Sequence, residues 1–175
     1  PKREYRAGLS EVIKYALIDD PAFFIWLKEN CALILERDPT ALAYMIEVCC
    51  RHKANIVKQD EKEEGCRALL NLGHTFAHAL ESVTLYKRWL HGEAVSIGLY
   101  CQAQLSLRLG LIEHSDLEQI KALLIQFGLP YRIPKDIDVD ALMACFYSDK
   151  KIIKSQLRFI ILESIGAAKV MSIKE

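Results

Sequence analysis

The chain has 175 residues, 51% hydrophobic and 26% charged, which suffices for one globular domain with a core of its own. Its 23 Lys and Arg balance 23 Asp and Glu, so no global field gathers nucleic acid or an anionic membrane surface. The longest apolar runs, such as Cys31 to Leu35 or Ile160 to Leu162, fall far short of the roughly 20 residues that cross a bilayer. No secretory signal is expected, since Pro1-Lys2-Arg3-Glu4-Tyr5 leads straight into a patterned segment. Cys31, Cys49, Cys50, Cys66, Cys101 and Cys145 show no CxxC spacing; reduced thiols and a cytoplasmic location are expected. A start at Pro1, inside what already looks patterned, leads us to expect a segment of a longer protein.

In chain order, Leu9, Val12, Ile13 and Ala16 recur at helical spacing, as do Phe23, Phe24, Leu27, Cys31, Ile34 and Leu35. These predict two helices parted by Asp19-Asp20-Pro21. Asp38-Pro39 repeats the start signal for a third helix running to about Gln59, closed by the polar stretch Asp60 to Gly65. A fourth helix is predicted from Leu70 to Val83, a loop over Tyr86 to Leu90, and a fifth helix from about Gly92 to Leu109, capped by Gly110. Ser115-Asp116-Leu117-Glu118 has the pattern of a capping box opening a sixth helix, which Gly128 and Pro130 end. Asp138 or Asp140 starts a seventh, through about Tyr147. Leu157 to Leu162 then changes to a strand pattern, with a turn at Gly166 and a returning strand from Ala168 to Ile173. The expected fold is mainly α, a single multi-helix domain over residues 1–175 with a small β-hairpin near the C-terminus.

Candidate chemistry gathers on the fourth and fifth predicted helices. His74 and His78 stand four apart on one helical face, with Glu81 three further along. That spacing resembles metal ligands, but the pair alone is a weak signal and also suits histidines satisfied by hydrogen bonds within a helix. His91, beside Gly92 at a helix start, can turn back toward the preceding helix and supply a third donor, while Glu93 suits a first-turn carboxylate favoured by the helix dipole. Catalytic zinc commonly keeps three protein ligands and an open position. Glu11 offers the carboxylate, although Glu11 and Lys14, three apart, also fit a surface ion pair. Arg67 and Asn71 are one turn apart and lead into His74. With Lys53 they line one mouth or remain ordinary surface residues. Lys150-Lys151 is a solvated loop pair or a cationic seat for phosphate or carboxylate.

Arg3-Glu4, Ala7-Gly8-Leu9 with Glu11-Val12-Ile13-Lys14-Tyr15, Arg67-Ala68-Leu69-Leu70-Asn71-Leu72-Gly73-His74-Thr75 and Leu90-His91-Gly92-Glu93-Ala94-Val95 together resemble 3-dehydroquinate synthase. Lys53-Ala54, Asp149-Lys150-Lys151 and Leu157-Arg158-Phe159 extend the resemblance, in the same order, over nearly the whole chain. It implies that Glu11, His74 and His91 ligate a divalent metal, zinc or cobalt, that holds adjacent hydroxyl oxygens of a sugar-phosphate substrate. It further implies conversion of 3-deoxy-D-arabino-heptulosonate 7-phosphate to 3-dehydroquinate and phosphate. That reaction proceeds by transient oxidation by NAD, phosphate elimination, re-reduction, ring opening and an intramolecular aldol closure. Lys14 is then expected to touch the substrate near the metal, and Lys53 and Arg67 to hold its carboxylate. Asn71, His78 and the Lys150-Lys151 pair, Lys151 more than Lys150, are expected toward the phosphate, with His78 also moving a proton. A homodimer is implied as well.

Ser10, Ala16, Ala77 and Lys154-Ser155 depart from the commoner family pattern, which bears on local backbone geometry and on none of the expected ligands. No Gly-rich strand-to-helix fingerprint occurs, so the NAD-binding domain of the family is expected outside this chain, as a partner domain, and these residues alone are expected to fold without turning over substrate. Two other expectations stand beside this one. A related sugar-phosphate cyclase or metal-dependent polyol dehydrogenase would share the ligands and take another substrate. A helical assembly module would use the histidines structurally.

Overall fold

The computed structural model describes residues 1–60, 66–148 and 157–173. Two Asp-Pro signals act as the sequence predicts. Asp20 Oδ1 accepts from the Phe23 amide at 2.8 Å and Asp38 Oδ1 from the Ala41 amide at 2.8 Å, so each caps a helix whose first residue is proline. These caps separate α1 (Lys2–Asp19) from α2 (Pro21–Glu29) and open α4 (Pro39–Gln59). The periodic run from Phe23 to Leu35 is not one helix. Asn30 turns its side-chain amide back onto the Trp26 carbonyl at 2.9 Å, and the chain restarts as α3 (Cys31–Glu36). The apolar spacing continues across the break, so hydrophobic pattern alone conceals it.

Beyond α4 a 3-10 helix (Cys66–Asn71) precedes α5 (His74–Val83), so the predicted helix from Leu70 is interrupted at Leu72-Gly73. Then come α6 (His91–Arg108), α7 (His114–Gln126) and α8 (Val139–Ser148). Gly110 and Gly128 cap α6 and α7 at φ 71° and 69°, as their placement predicts. The start of α7 differs from expectation. Glu113, not Ser115, is the capping position, and Asp116 Oδ2 accepts from the Glu113 amide at 3.1 Å. The last described residues form a hairpin, β1 (Leu157–Ser164) and β2 (Ala167–Ile173), antiparallel, with Leu157 opposite Ile173 and Leu162 opposite Ala168.

α6 is the axis of the domain. It packs against α1, α5, α7 and β1, and Ala94, Val95, Ile97 and Ala103 along it are fully buried. Ile13, Leu17, Phe127 and Leu162 meet it in one continuous core, and each such side chain removed from water contributes roughly 1.5–3 kcal/mol. Ser106 joins helix to hairpin, its hydroxyl donating to the Gln102 carbonyl and accepting from the Leu162 amide, both at 2.9 Å. Glu93 closes the other end. Arg3 grips its carboxylate through Nε and Nη2 at 2.7 Å each, and the Leu90 amide donates to the same group at 3.0 Å. This hydrogen-bonding, the Arg3 bond foremost, holds the Glu93 carboxyl below its usual range. The carboxylate expected in the first turn of α6 is therefore a fastening to α1. The six cysteines form no disulfide, and no helix among the described residues is long and apolar enough to cross a membrane.

Candidate metal centre

Three elements converge on one point. Glu11 lies in the middle of α1, His74 is the first residue of α5 and His91 the first of α6. Gly92 explains how His91 reaches α1. A Cβ on Gly92 would stand 2.0 Å from the Ala7 carbonyl oxygen, so only glycine lets the first turn of α6 lie on the backbone of α1, one turn before Glu11. The loop feeding that turn has Leu85 and Tyr86 at φ 52° and 56°; the Tyr86 amide bonds the Glu81 carbonyl at 2.8 Å. This reversal brings His91 back beside the helix that carries His74.

Glu11 Oε1 lies 3.5 Å from His74 Nε2 and 4.0 Å from His91 Nε2, and the three donors lie within 4.8 Å of one another. Bonds of 2.0–2.1 Å at tetrahedral angles set donors about 3.3 Å apart, so a modest contraction would bring them onto one cation. Among the described residues, Glu11 Oε1 is buried with no hydrogen-bond partner. A buried carboxylate oxygen without a donor is costly, and a cation between it and two imidazole nitrogens is what such an oxygen lacks. The donor set, one carboxylate and two histidines, is that of catalytic zinc sites. The residues present therefore fit a divalent metal.

Both imidazoles are held so that Nε2 faces the centre. His74 Nδ1 donates to the Leu72 carbonyl at 3.1 Å, a carbonyl being able only to accept, which leaves the Nε2 lone pair free. Burial, and then the charge of Lys14, lower the His74 pKa from 6.5 to about 4, so the ring is neutral at physiological pH. His91 Nδ1 lies 3.0 Å from Glu81 Oε1. Lys14, whose side chain is only 5% exposed, donates from Nζ to Glu11 Oε2 at 2.5 Å, so one carboxylate oxygen faces a lysine and the other the histidines.

His78 is outside the cluster. Its ring centroid is 5.7 Å from that of His74 and 6.2 Å from that of His91, on the rim of a cavity of about 510 Å³ that Thr75, Glu81, Ser82, Tyr86 and His91 also line. The spacing pair His74 and His78 is thus split into a donor and a cavity-facing neighbour. Arg67 and Asn71 are half-buried in the 3-10 helix immediately before α5, with the Arg67 amide bonded to Asp60 Oδ2 at 2.9 Å. Lys53 is exposed on α4, which packs against both α1 and the 3-10 helix. Lys150 and Lys151 lie outside the described residues. Glu81 is the residue whose place spacing alone did not foretell. It stands seven residues after His74 on the same face, and only the fold brings it to His91.

Fold and cluster together define a helical domain whose first, fifth and sixth helices bring three donors able to hold a divalent cation to one point. Residues 8–152 match the family model described as 3-dehydroquinate synthase C-terminal. The chain belongs to the 3-dehydroquinate synthase family and corresponds to its carboxy-terminal domain. It is 49% identical over 170 residues to a 3-dehydroquinate synthase of Legionella pneumophila, covering 97% of this chain and 46% of that protein. It is 51% identical over 170 residues to that of Halorhodospira halophila, covering 97% and 48%. The chain thus spans about half the length of the curated relatives it matches. In fold it is similar to 2-epi-5-epi-valiolone synthase of Streptomyces hygroscopicus, solved with NAD+ and Zn2+ bound. There the TM-score is 0.86 at 24% identity, over 99% of this chain and 48% of that one. A 2-deoxy-scyllo-inosose synthase complexed with carbaglucose-6-phosphate, NAD+ and Co2+ matches with a TM-score of 0.85 at 23% identity, over 99% and 50%.

Proposed function

We propose that these residues are the metal- and substrate-binding half of a 3-dehydroquinate synthase, acting on 3-deoxy-D-arabino-heptulosonate 7-phosphate to give 3-dehydroquinate and phosphate. The observation that carries the proposal is the buried, unpartnered Glu11 Oε1 facing two imidazole nitrogens, in a chain about half identical to proteins of that name. Glu11, His74 and His91 hold the metal. When bound, zinc or cobalt supplies Lewis acidity toward adjacent substrate hydroxyls, and NAD, held mainly by a further domain of the full-length protein, supplies transient oxidation.

The other residues bind, orient and move protons. Lys14 Nζ, positioned by Glu11 Oε2, offers its remaining N–H donors to a substrate oxygen beside the metal. Lys53 and Arg67 hold the carboxylate, and Asn71, Lys150 and Lys151 the phosphate; guanidinium and ammonium groups bind such anions through charge-assisted hydrogen bonds. His78, on the cavity rim, takes and returns a proton in the elimination and ring-opening steps, since imidazole titrates near neutrality.

The test uses full-length protein with the heptulosonate phosphate, NAD and zinc, following released inorganic phosphate. Release that requires both NAD and metal supports the assignment. No release under those conditions would sink it.

A further inference from the structure

Glu81 is 6% exposed, and a carboxylate so deeply buried needs a strong partner. Its Oε1 lies 3.0 Å from His91 Nδ1. The histidine on the other side of that bond is the loosest member of the cluster, its side chain 51% exposed against 12% for His74. His74 is held by nearby backbone, through the Leu72 carbonyl two residues earlier. His91 likewise opens its helix, but among the described residues its Nδ1 is met by the Glu81 carboxylate, ten residues earlier in the chain, instead of by neighbouring backbone. We infer that Glu81 is a positioning residue for the metal centre: it holds His91 with the proton on Nδ1 and Nε2 turned toward Glu11, and so sets the affinity of the site for zinc.

Three features support this, and the inference rests on the metal-centre reading above. A carboxylate accepts, so the shared proton sits on Nδ1 and the lone pair is left on Nε2, the atom 4.0 Å from Glu11 Oε1. Helical geometry places Glu81 seven residues after His74 on the same face of α5, so one rigid helix carries a donor at its start and the anchor of a second donor two turns later. The Glu81 backbone also takes part in the reversal, its carbonyl accepting from the Tyr86 amide at 2.8 Å. Helix, loop and imidazole are thereby joined at one residue. Metal-bound histidines commonly donate their second ring nitrogen to a carboxylate, and losing that partner weakens metal binding about 10- to 100-fold.

The experiment measures zinc affinity of the full-length protein by competition with a chelator, without substrate. Glu81→Ala should weaken zinc binding by about 10- to 100-fold. Glu81→Gln, which keeps an acceptor oxygen of the same reach but no charge, should fall between it and wild type. In a His91→Ala background, Glu81→Ala should change affinity by less than about 2-fold, because the residue acts through His91. Equal losses in both backgrounds would reveal a merely structural role and overturn the inference. So would an unchanged affinity in Glu81→Ala when wild type binds zinc, an outcome that leaves the metal centre itself standing. A wild type that takes up no zinc would remove both.

Discussion

Gly98 in the middle of α6 lies against Gly73 at the start of α5, so closely that a Cβ on Gly98 would stand 2.0 Å from the Gly73 carbonyl oxygen. Gly73 is itself at φ 81° and a Cβ there would meet the Leu99 amide nitrogen at 2.9 Å. The two helices therefore cross backbone to backbone, one residue before His74. Together with the approach of Gly92 to Ala7, this crossing decides where two of the three donors stand relative to the third.

Adding one methyl group at that crossing should be felt both in stability and at the metal. In Gly98→Ala the obstructing atoms are backbone and cannot rotate away, so a loss of about 2–3 kcal/mol is expected, read as a lower denaturation midpoint. Zinc affinity should fall with it, since His74 moves with the start of α5. Alanine at Gly110, where a Cβ meets no atom within 4 Å, strains only its own φ and should leave zinc affinity unchanged.

Removing the carboxylate should abolish the centre. Glu11→Ala is expected to lose zinc on gel filtration while wild type retains it, measured as metal content per chain. Metal should also stabilise the wild-type protein. At a free zinc concentration of about 100 times Kd the stabilisation is about 2.7 kcal/mol, so chelation should lower the Tm of wild type and leave that of Glu11→Ala unchanged.

The metal-free protein should lose stability in acid through His74. Its pKa in the folded state is about 4, against 6.5 ordinarily, because of burial and then Lys14. Between those values the unfolded chain binds more protons than the folded one, so stability falls as pH drops from about 6.5 toward 4 and does not change on this account above 6.5. The loss is on the order of 2–3 kcal/mol. His74→Gln should flatten the dependence in that window, measured by urea denaturation of chelator-treated protein at a series of pH values.

His52 should matter to stability though it lies apart from the centre. Its Nδ1 and Nε2 are each 2.9 Å from a carboxylate, Asp19 Oδ1 and Asp20 Oδ2, and its ring stacks on Tyr15 and Phe23. It ties α4 to the junction of α1 and α2. His52→Ala is expected to cost about 2 kcal/mol, from lost hydrogen bonding to a carboxylate and lost packing, with zinc affinity unaltered. A chemical denaturation curve coincident with wild type would contradict this.

Much of the architecture was legible in the chain itself. Asp20-Pro21 and Asp38-Pro39 start helices because a carboxylate satisfies the free amides and proline needs none; Gly110 and Gly128 end them because they accept positive φ. The strand pattern from Leu157 and the turn at Gly166 gave the hairpin. These are local effects, settled within a few residues. Asn30 leaves no mark on the pattern because a side-chain amide competing for a helix carbonyl does not disturb apolar periodicity, and Glu113 is hidden behind Ser115, an equally good local cap.

The candidate site divides along the same line. Residue types and motif order, Glu11 with Lys14, Leu72-Gly73-His74 and His91-Gly92, were sufficient to nominate the donors. Spacing could not separate His74 from His78, since both lie on one face of α5. Only tertiary structure decided that, by burying His74 against α1 and leaving His78 on the cavity rim. It likewise made Glu93 a clasp for Arg3 and Glu81 a partner for His91. The physical reason is one of range: caps, turns and helix faces depend on neighbours in the chain, whereas the partner of a buried oxygen depends on which backbones can touch, at Gly92 with Ala7 and at Gly98 with Gly73.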